Sequence, residues 1–99
     1  MAKFILRQKA IDDLTGIWNY TADTWSESQV DIYFDLIKCS CQNLADNIAL
    51  GKEYHGISDE LLGYRIKKHI IFYKTLSVDV IEVVRILHER MDLKNRLEE

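Results

Sequence analysis

The stretch Gly63–His88, GYRIKKHIIFYKTLSVDVIEVVRILH, decides the fold. It is rich in β-branched and aromatic residues, and its pattern has a period of two, so it reads as strand and not as helix. Three strands are expected: Gly63–Lys67, His69–Thr75 and Val80–His88, with Lys68 and Leu76–Asp79 as the turns. Neither turn carries an Asn-Gly pair, so the hairpins rest on alternation and β-branched content. In a regular last strand, Arg85 shares a side with Ile81, Val83 and Leu87. There it serves either as a salt bridge at the rim or as a partner contact.

Upstream, the period changes to that of a helix. From Gln8 to Thr24, Ala10, Leu14, Ile17 and Thr21 form one stripe. Ile11, Trp18 and Trp25 form a second, about 80° round the helix. An apolar arc this wide predicts two packing neighbours. Ser26-Glu27-Ser28-Gln29 reads as a capping box, in which Ser26 caps the amide of residue 29. The helix it opens runs to about Asn47, with Val30, Tyr33, Phe34, Ile37, Cys41, Leu44 and Ile48 on its main stripe. Two helices this close in sequence fold back as an antiparallel hairpin.

Three segments remain. Lys3–Arg7 (KFILR) suits a strand, Gly51–Leu62 has no period and reads as a loop, and Glu89–Glu99 is a charged tail with Met91, Leu93 and Leu97 as anchors. The fold class is therefore α+β, in the order β-α-α-β-β-β. An N-terminal strand and an antiparallel helical hairpin pack on one face of a mainly antiparallel sheet.

At 99 residues the chain is expected to form one domain, and 47% hydrophobic residues suffice for a core without staples. The net charge is −3. In residues 1–49, Lys3, Arg7, Lys9 and Lys38 stand against seven acids, and residues 50–99 carry nine of each sign. Free-standing nucleic-acid binding normally needs a basic excess, so none is expected. Cys39 and Cys41 lie on different helix faces and cannot pair with each other, which predicts reduced thiols and a cytoplasmic location. The apolar run in Met1–Arg7 is too short for a signal peptide, and no stretch is long enough for a membrane span. Three histidines without paired spacing predict no metal site. His88 and Asp92 have no serine in a nucleophile elbow to serve, so His88 is read as orienting the tail. No cofactor is implied.

Several strings, in this order, resemble the ParE family of toxin–antitoxin modules. The first helix carries Ala10-x-x-Asp13-Leu14-x-x-Ile17-Trp18-x-Tyr20, and the second, after Trp25, holds Gln29 and Tyr33. Leu44-Ala45-Asp46-Asn47-x-Ala49-Leu50-Gly51 follows, then Gly63-Tyr64-Arg65 and His69-Ile70-Ile71-Phe72-Tyr73. The ending is Val84-Arg85-Ile86-Leu87-His88-x-x-x-Asp92. Two departures stand out: Ile48 replaces the family's usual Pro after Asn, and Arg7-Gln8-Lys9 offers no N-cap. The resemblance implies a RelE/ParE-like fold, a toxin held inactive by a ParD-like antitoxin, and DNA gyrase as the target, trapped in its DNA-cleaved state.

RelE-type relatives share the fold but cleave mRNA on the ribosome, and they resemble one another in using sheet Arg and Lys with a tyrosine near the C-terminus. The last tyrosine here is Tyr73, and Glu89 and Asp92 accompany the basic groups after the final strand. Acids where a phosphate must approach oppose RNA cleavage. His69, His88, Arg65 and Arg85 remain as an unusual alternative set. A third reading is a non-toxic remnant that still binds an antitoxin.

Ile32, Leu36 and Cys39 lie off the main stripe of the second helix. With Trp18, they are the expected antitoxin-binding residues, forming a groove for an amphipathic segment. An open sheet edge is a second place where an antitoxin strand can add. For gyrase, the expected contacts are His88, Arg90, Asp92, Leu93 and Arg96, in the charged C-terminal region.

Overall fold

The computed structural model describes residues 2–24, 26–53 and 61–98, apart from the side chains of 21–24, 94 and 98. Strand β1 (Lys3–Leu6) leads into helices α1 (Gln8–Thr24) and α2 (Glu27–Asp46), and a short 3₁₀ turn spans Ile48–Leu50. Then come β2 (Lys52–Glu53), β3 (Leu62–Ile66), β4 (His69–Ser77), β5 (Val80–His88) and helix α3 (Leu93–Glu98). The sheet order is β1-β5-β4-β3-β2; β1 runs parallel to β5, and every other pairing is antiparallel.

The α+β class and the helical hairpin on one sheet face are as expected, and two elements are additional. β2 occupies the start of the segment read as a loop, pairing Lys52 with Gly63 and Glu53 with Leu62. Two residues carry no legible period. The rest of that loop, 54–60, and Trp25, the last member of the second α1 stripe, lie outside the described residues. The charged tail contains α3, whose Leu93 and Leu97 pack under the sheet against Leu61, Ile70, Phe72, Val84 and Leu87.

On α1, Ala10 is fully buried and Leu14 packs on the core, but Ile11 is exposed, so the second stripe is only partly covered. In place of a side-chain N-cap, the Arg7 carbonyl accepts from the amides of Ala10 and Ile11. On α2, the Ser26 hydroxyl accepts from Gln29 N–H at 3.3 Å, as its capping motif predicts. Val30, Ile37, Cys41 and Leu44 are buried. Burial pushes the Cys41 thiol up to about 12, which makes it an inert core residue.

Strand bounds differ slightly from the alternation reading. The β3–β4 turn is Lys67–Lys68, with Lys67 in the left-handed region at φ 51°, and the β4–β5 turn is Val78–Asp79. The larger correction concerns Arg85. Tyr73 lies opposite Val83 and Phe72 opposite Arg85, so Val84 is a β-bulge residue without a counterpart. The bulge resets the alternation. Ile81, Val83 and Ile86 face the helices, whereas Leu87 joins the cluster on the other face. Arg85 therefore does not share a side with Ile81 and Val83.

Tyr73 spans the core. Its hydroxyl donates to the Ile48 carbonyl at 2.7 Å and accepts from Gly51 N–H at 3.0 Å, tying the exit of α2 to β4. A Cβ on Gly51 would lie 2.1 Å from that hydroxyl, so only glycine allows the close approach.

Candidate functional site

Strand β1 ends at Leu6, opposite Val83, so the last part of β5 has no strand neighbour on that side. Helix α1 runs alongside instead. The Asp13 carboxylate accepts from the backbone N–H of Ile86 at 3.0 Å, supplying the acceptor that a strand would have provided. It also holds Arg85 through two bonds, Nε–Oδ2 at 2.8 Å and an N–H to Oδ1 at 3.0 Å. Arg85 then reaches the Arg96 carbonyl of α3 at 2.7 Å. One buried guanidinium thus joins α1, β5 and α3.

An open cleft of about 1370 Å³ lies beside this junction. Its floor is apolar, from Ile17, Ile32, Leu36, Ile86 and Met91. Asp12 and Asp13 contribute from α1, and Lys67, Lys68, His69, His88 and Arg90 contribute from the sheet end. The cleft is therefore polarised, with acid on the helix wall and donors on the sheet wall.

His69 and His88 stand opposite each other on β4 and β5, with rings 5.2 Å apart, edge to face. Both are engaged at Nδ1. The Tyr33 hydroxyl of α2 shares a 2.5 Å hydrogen bond with Nδ1 of His69, and the backbone N–H of Arg90 donates to Nδ1 of His88 at 3.1 Å. Burial, then the neighbouring His88, pull His69 down to about 4, against an opposite pull from Glu89. His69 is neutral at pH 7. Burial also raises the Tyr33 phenol. Glu89 itself pairs with Arg65 at 2.5 Å.

The residues expected at partner surfaces fall in several places. Ile32, 69% exposed, and half-buried Leu36 line the cleft. Cys39 is exposed on α2 and does not line the cleft. Trp18 packs edge to face on Phe34, with centroids 5.1 Å apart, within the helical hairpin. His88 and Arg90 line the same cleft as Ile32 and Leu36. Asp92 caps α3, accepting from the amide of Asn95 at 3.4 Å, and Leu93 packs under the sheet. Arg96 presents its carbonyl to Arg85. One cleft thus takes two residues from each expected set.

Sequence reading missed Tyr33, Lys67, Lys68 and Met91 as cleft residues and Asp13 as the partner of Arg85. The His69–His88 pairing was recoverable by counting back along two strands from a turn at Val78–Asp79. Among the described residues, no group of three His, Cys, Asp or Glu is placed to hold a metal ion. No helix there is long and apolar enough to cross a membrane.

A family described as the ParE toxin of type II toxin–antitoxin systems, parDE, matches residues 4–93. The chain is 34% identical over 97 residues to Toxin ParE of Escherichia coli, covering 98% of this chain and 94% of that one. It is 28% identical over 96 residues to Toxin ParE1 of Mycobacterium tuberculosis H37Rv, covering 97% and 98%. Toxin ParE1 of Caulobacter vibrioides is 29% identical over 102 residues, with 98% and 99% covered. A solved structure described as the chromosomal ParDE TA system from P. aeruginosa matches with a TM-score of 0.75 over 89% of this chain and 96% of that one. At 13% identity that similarity is one of fold.

Proposed function

This chain belongs to the ParE toxin family of type II toxin–antitoxin systems, and from that membership we propose that it inhibits DNA gyrase by trapping the cleaved-DNA complex. In this reading the 99 residues act as one domain in the cytoplasm, and a ParD-like antitoxin neutralises them. The toxin works by binding and not by chemistry of its own. Ile32 and Leu36, with Cys39 and Trp18, contribute to the antitoxin surface. His88, Arg90, Asp92, Leu93 and Arg96 contribute to the gyrase surface.

The observation that carries the binding mode is the state of Arg65 and Arg85, the two arginines on the described strands. Asp13 holds Arg85 in a buried, bidentate pair, and Glu89 holds Arg65. A guanidinium so neutralised is poorly disposed to steady the phosphate of an RNA undergoing cleavage. This weighs against the ribosome-dependent nuclease alternative.

The test is induction in bacteria. Covalent gyrase–DNA complexes and a DNA-damage response are expected, without codon-specific mRNA cuts. The cuts would support the nuclease instead, and normal growth with neither outcome would mark a non-toxic remnant. Co-expression with the adjoining gene should yield a co-purifying antitoxin, and Leu36→Asp should weaken its binding while the fold survives.

A further inference from the structure

The sheet end of the cleft carries side chains that donate hydrogen bonds. Lys67, Lys68 and Arg90 have no acceptor capacity. Because Arg90 N–H donates to Nδ1 of His88, Nδ1 is the accepting nitrogen and Nε2 the donating one. Nδ1 of His69 is likewise taken, by Tyr33, which leaves its Nε2 as the second ring nitrogen of the pair. A wall of donors beside an apolar floor asks for an acceptor-bearing ligand with an apolar side.

We propose that this wall, formed by Lys68, His69, His88 and Arg90, is a carboxylate-receiving site for an acidic residue on a bound amphipathic segment, whose apolar side lies on Ile32, Leu36 and Met91. The proposal rests on the reading that an antitoxin segment occupies the cleft, and it states what that segment must carry. The same donors could meet a nucleic-acid phosphate. Two observations favour the peptide. Asp12 lines the cleft from α1 and would repel a chain charged at every residue more than a segment with one acidic flank, and the aliphatic floor offers nothing to a sugar–phosphate backbone. Glu89, the carboxylate whose charge acts on His69, is engaged by Arg65. Tyr33 on α2, Asp12 and Asp13 on α1, and the Lys67–Lys68 turn line the same cleft.

The experiment measures binding of the full chain to three probes. One is a synthetic amphipathic helix with leucines on one face and glutamates along one flank. The second is its glutamine twin, and the third is an oligouridylate of eight nucleotides. The glutamate peptide should bind at least tenfold more tightly than the twin, and the oligouridylate no better than the twin. Arg90→Gln and Lys68→Gln, both at exposed turn positions, should together shrink the glutamate preference to under threefold while leaving the twin's affinity unchanged. His88→Gln should act in the same direction. Equal affinity for the two peptides overturns the proposal, as does no binding by either. Tighter binding of the oligouridylate overturns it in favour of a nucleic-acid cleft.

The co-purifying antitoxin supplies a separate arm. If it binds wild type and the Arg90→Gln, Lys68→Gln variant equally, the carboxylate site is refuted and the antitoxin reading stands. If no antitoxin is captured, that reading fails, and the peptide comparison still decides the carboxylate site.

Discussion

Asp13 holds Arg85 across 72 residues of sequence, and the same carboxylate closes the backbone of Ile86. Both side chains are nearly buried, at 14% and 9% exposed. A buried ion pair contributes little net stability against an apolar substitute, but breaking one side leaves a charge stranded. Asp13→Ala is therefore expected to cost about 3–5 kcal/mol in urea denaturation. Asp13→Ala combined with Arg85→Met should recover much of that loss. A double variant as unstable as the single one would locate the cost in the Ile86 amide instead.

Tyr73 and Gly51 give a second, non-additive pair. Tyr73→Phe strands the Ile48 carbonyl and the Gly51 amide, at a cost of about 1–3 kcal/mol. Gly51→Ala drives a methyl group into the hydroxyl and should cost more than Tyr73→Phe. Removing the hydroxyl relieves part of the clash, so the double variant should be more stable than the sum of the two losses implies. Thermal melts of the three variants give the coupling directly.

The histidine pair predicts an acid sensitivity. His69 takes up its proton near pH 4 in the folded chain and near 6.5 when unfolded. Between those values the unfolded state binds the proton and the folded state does not, so stability falls as pH drops from about 6.5 towards 4. His69→Gln should flatten that part of the profile. An unchanged slope in the variant would assign the acid loss to other groups.

Helix α3 predicts a hydrophobic exposure. Leu97→Ala removes half of a two-leucine anchor and should cost about 1–2 kcal/mol, less than a fully buried leucine. Deleting residues 93–99 uncovers Phe72 and Leu87, which are 0% and 1% exposed in the intact chain. Increased binding of a hydrophobic dye by the truncated chain checks this.

These sites were not equally legible in the sequence. The Ser26 cap, the Val30–Leu44 stripe and the β4–β5 hairpin depend on contacts local in sequence or on repeated alternation, and pattern reveals both. Arg85 was misplaced because a single bulge at Val84 inverts every later side chain, and a bulge leaves no signature in hydrophobicity. Its partnership with Asp13 joins α1 to β5, and no spacing rule reaches that far. The same holds for the cleft. Ile32 and Leu36 stood out as apolar residues off the main stripe, but only the fold sets His88 and Arg90 beside them.

The parallel pairing of β1 with β5 has a consequence for the timing of assembly. Lys3 lies beside Val80, so β1, which leaves the ribosome before the other described strands, finds its sheet partner only when β5 has emerged. The α1–α2 hairpin can form early from local contacts, but β1 must wait for a loop closure across most of the chain. A truncated nascent chain thus lacks the β5 edge, the Asp13–Arg85 junction and the far wall of the cleft. All three require β5, so a translation product arrested before that strand cannot present the finished surface.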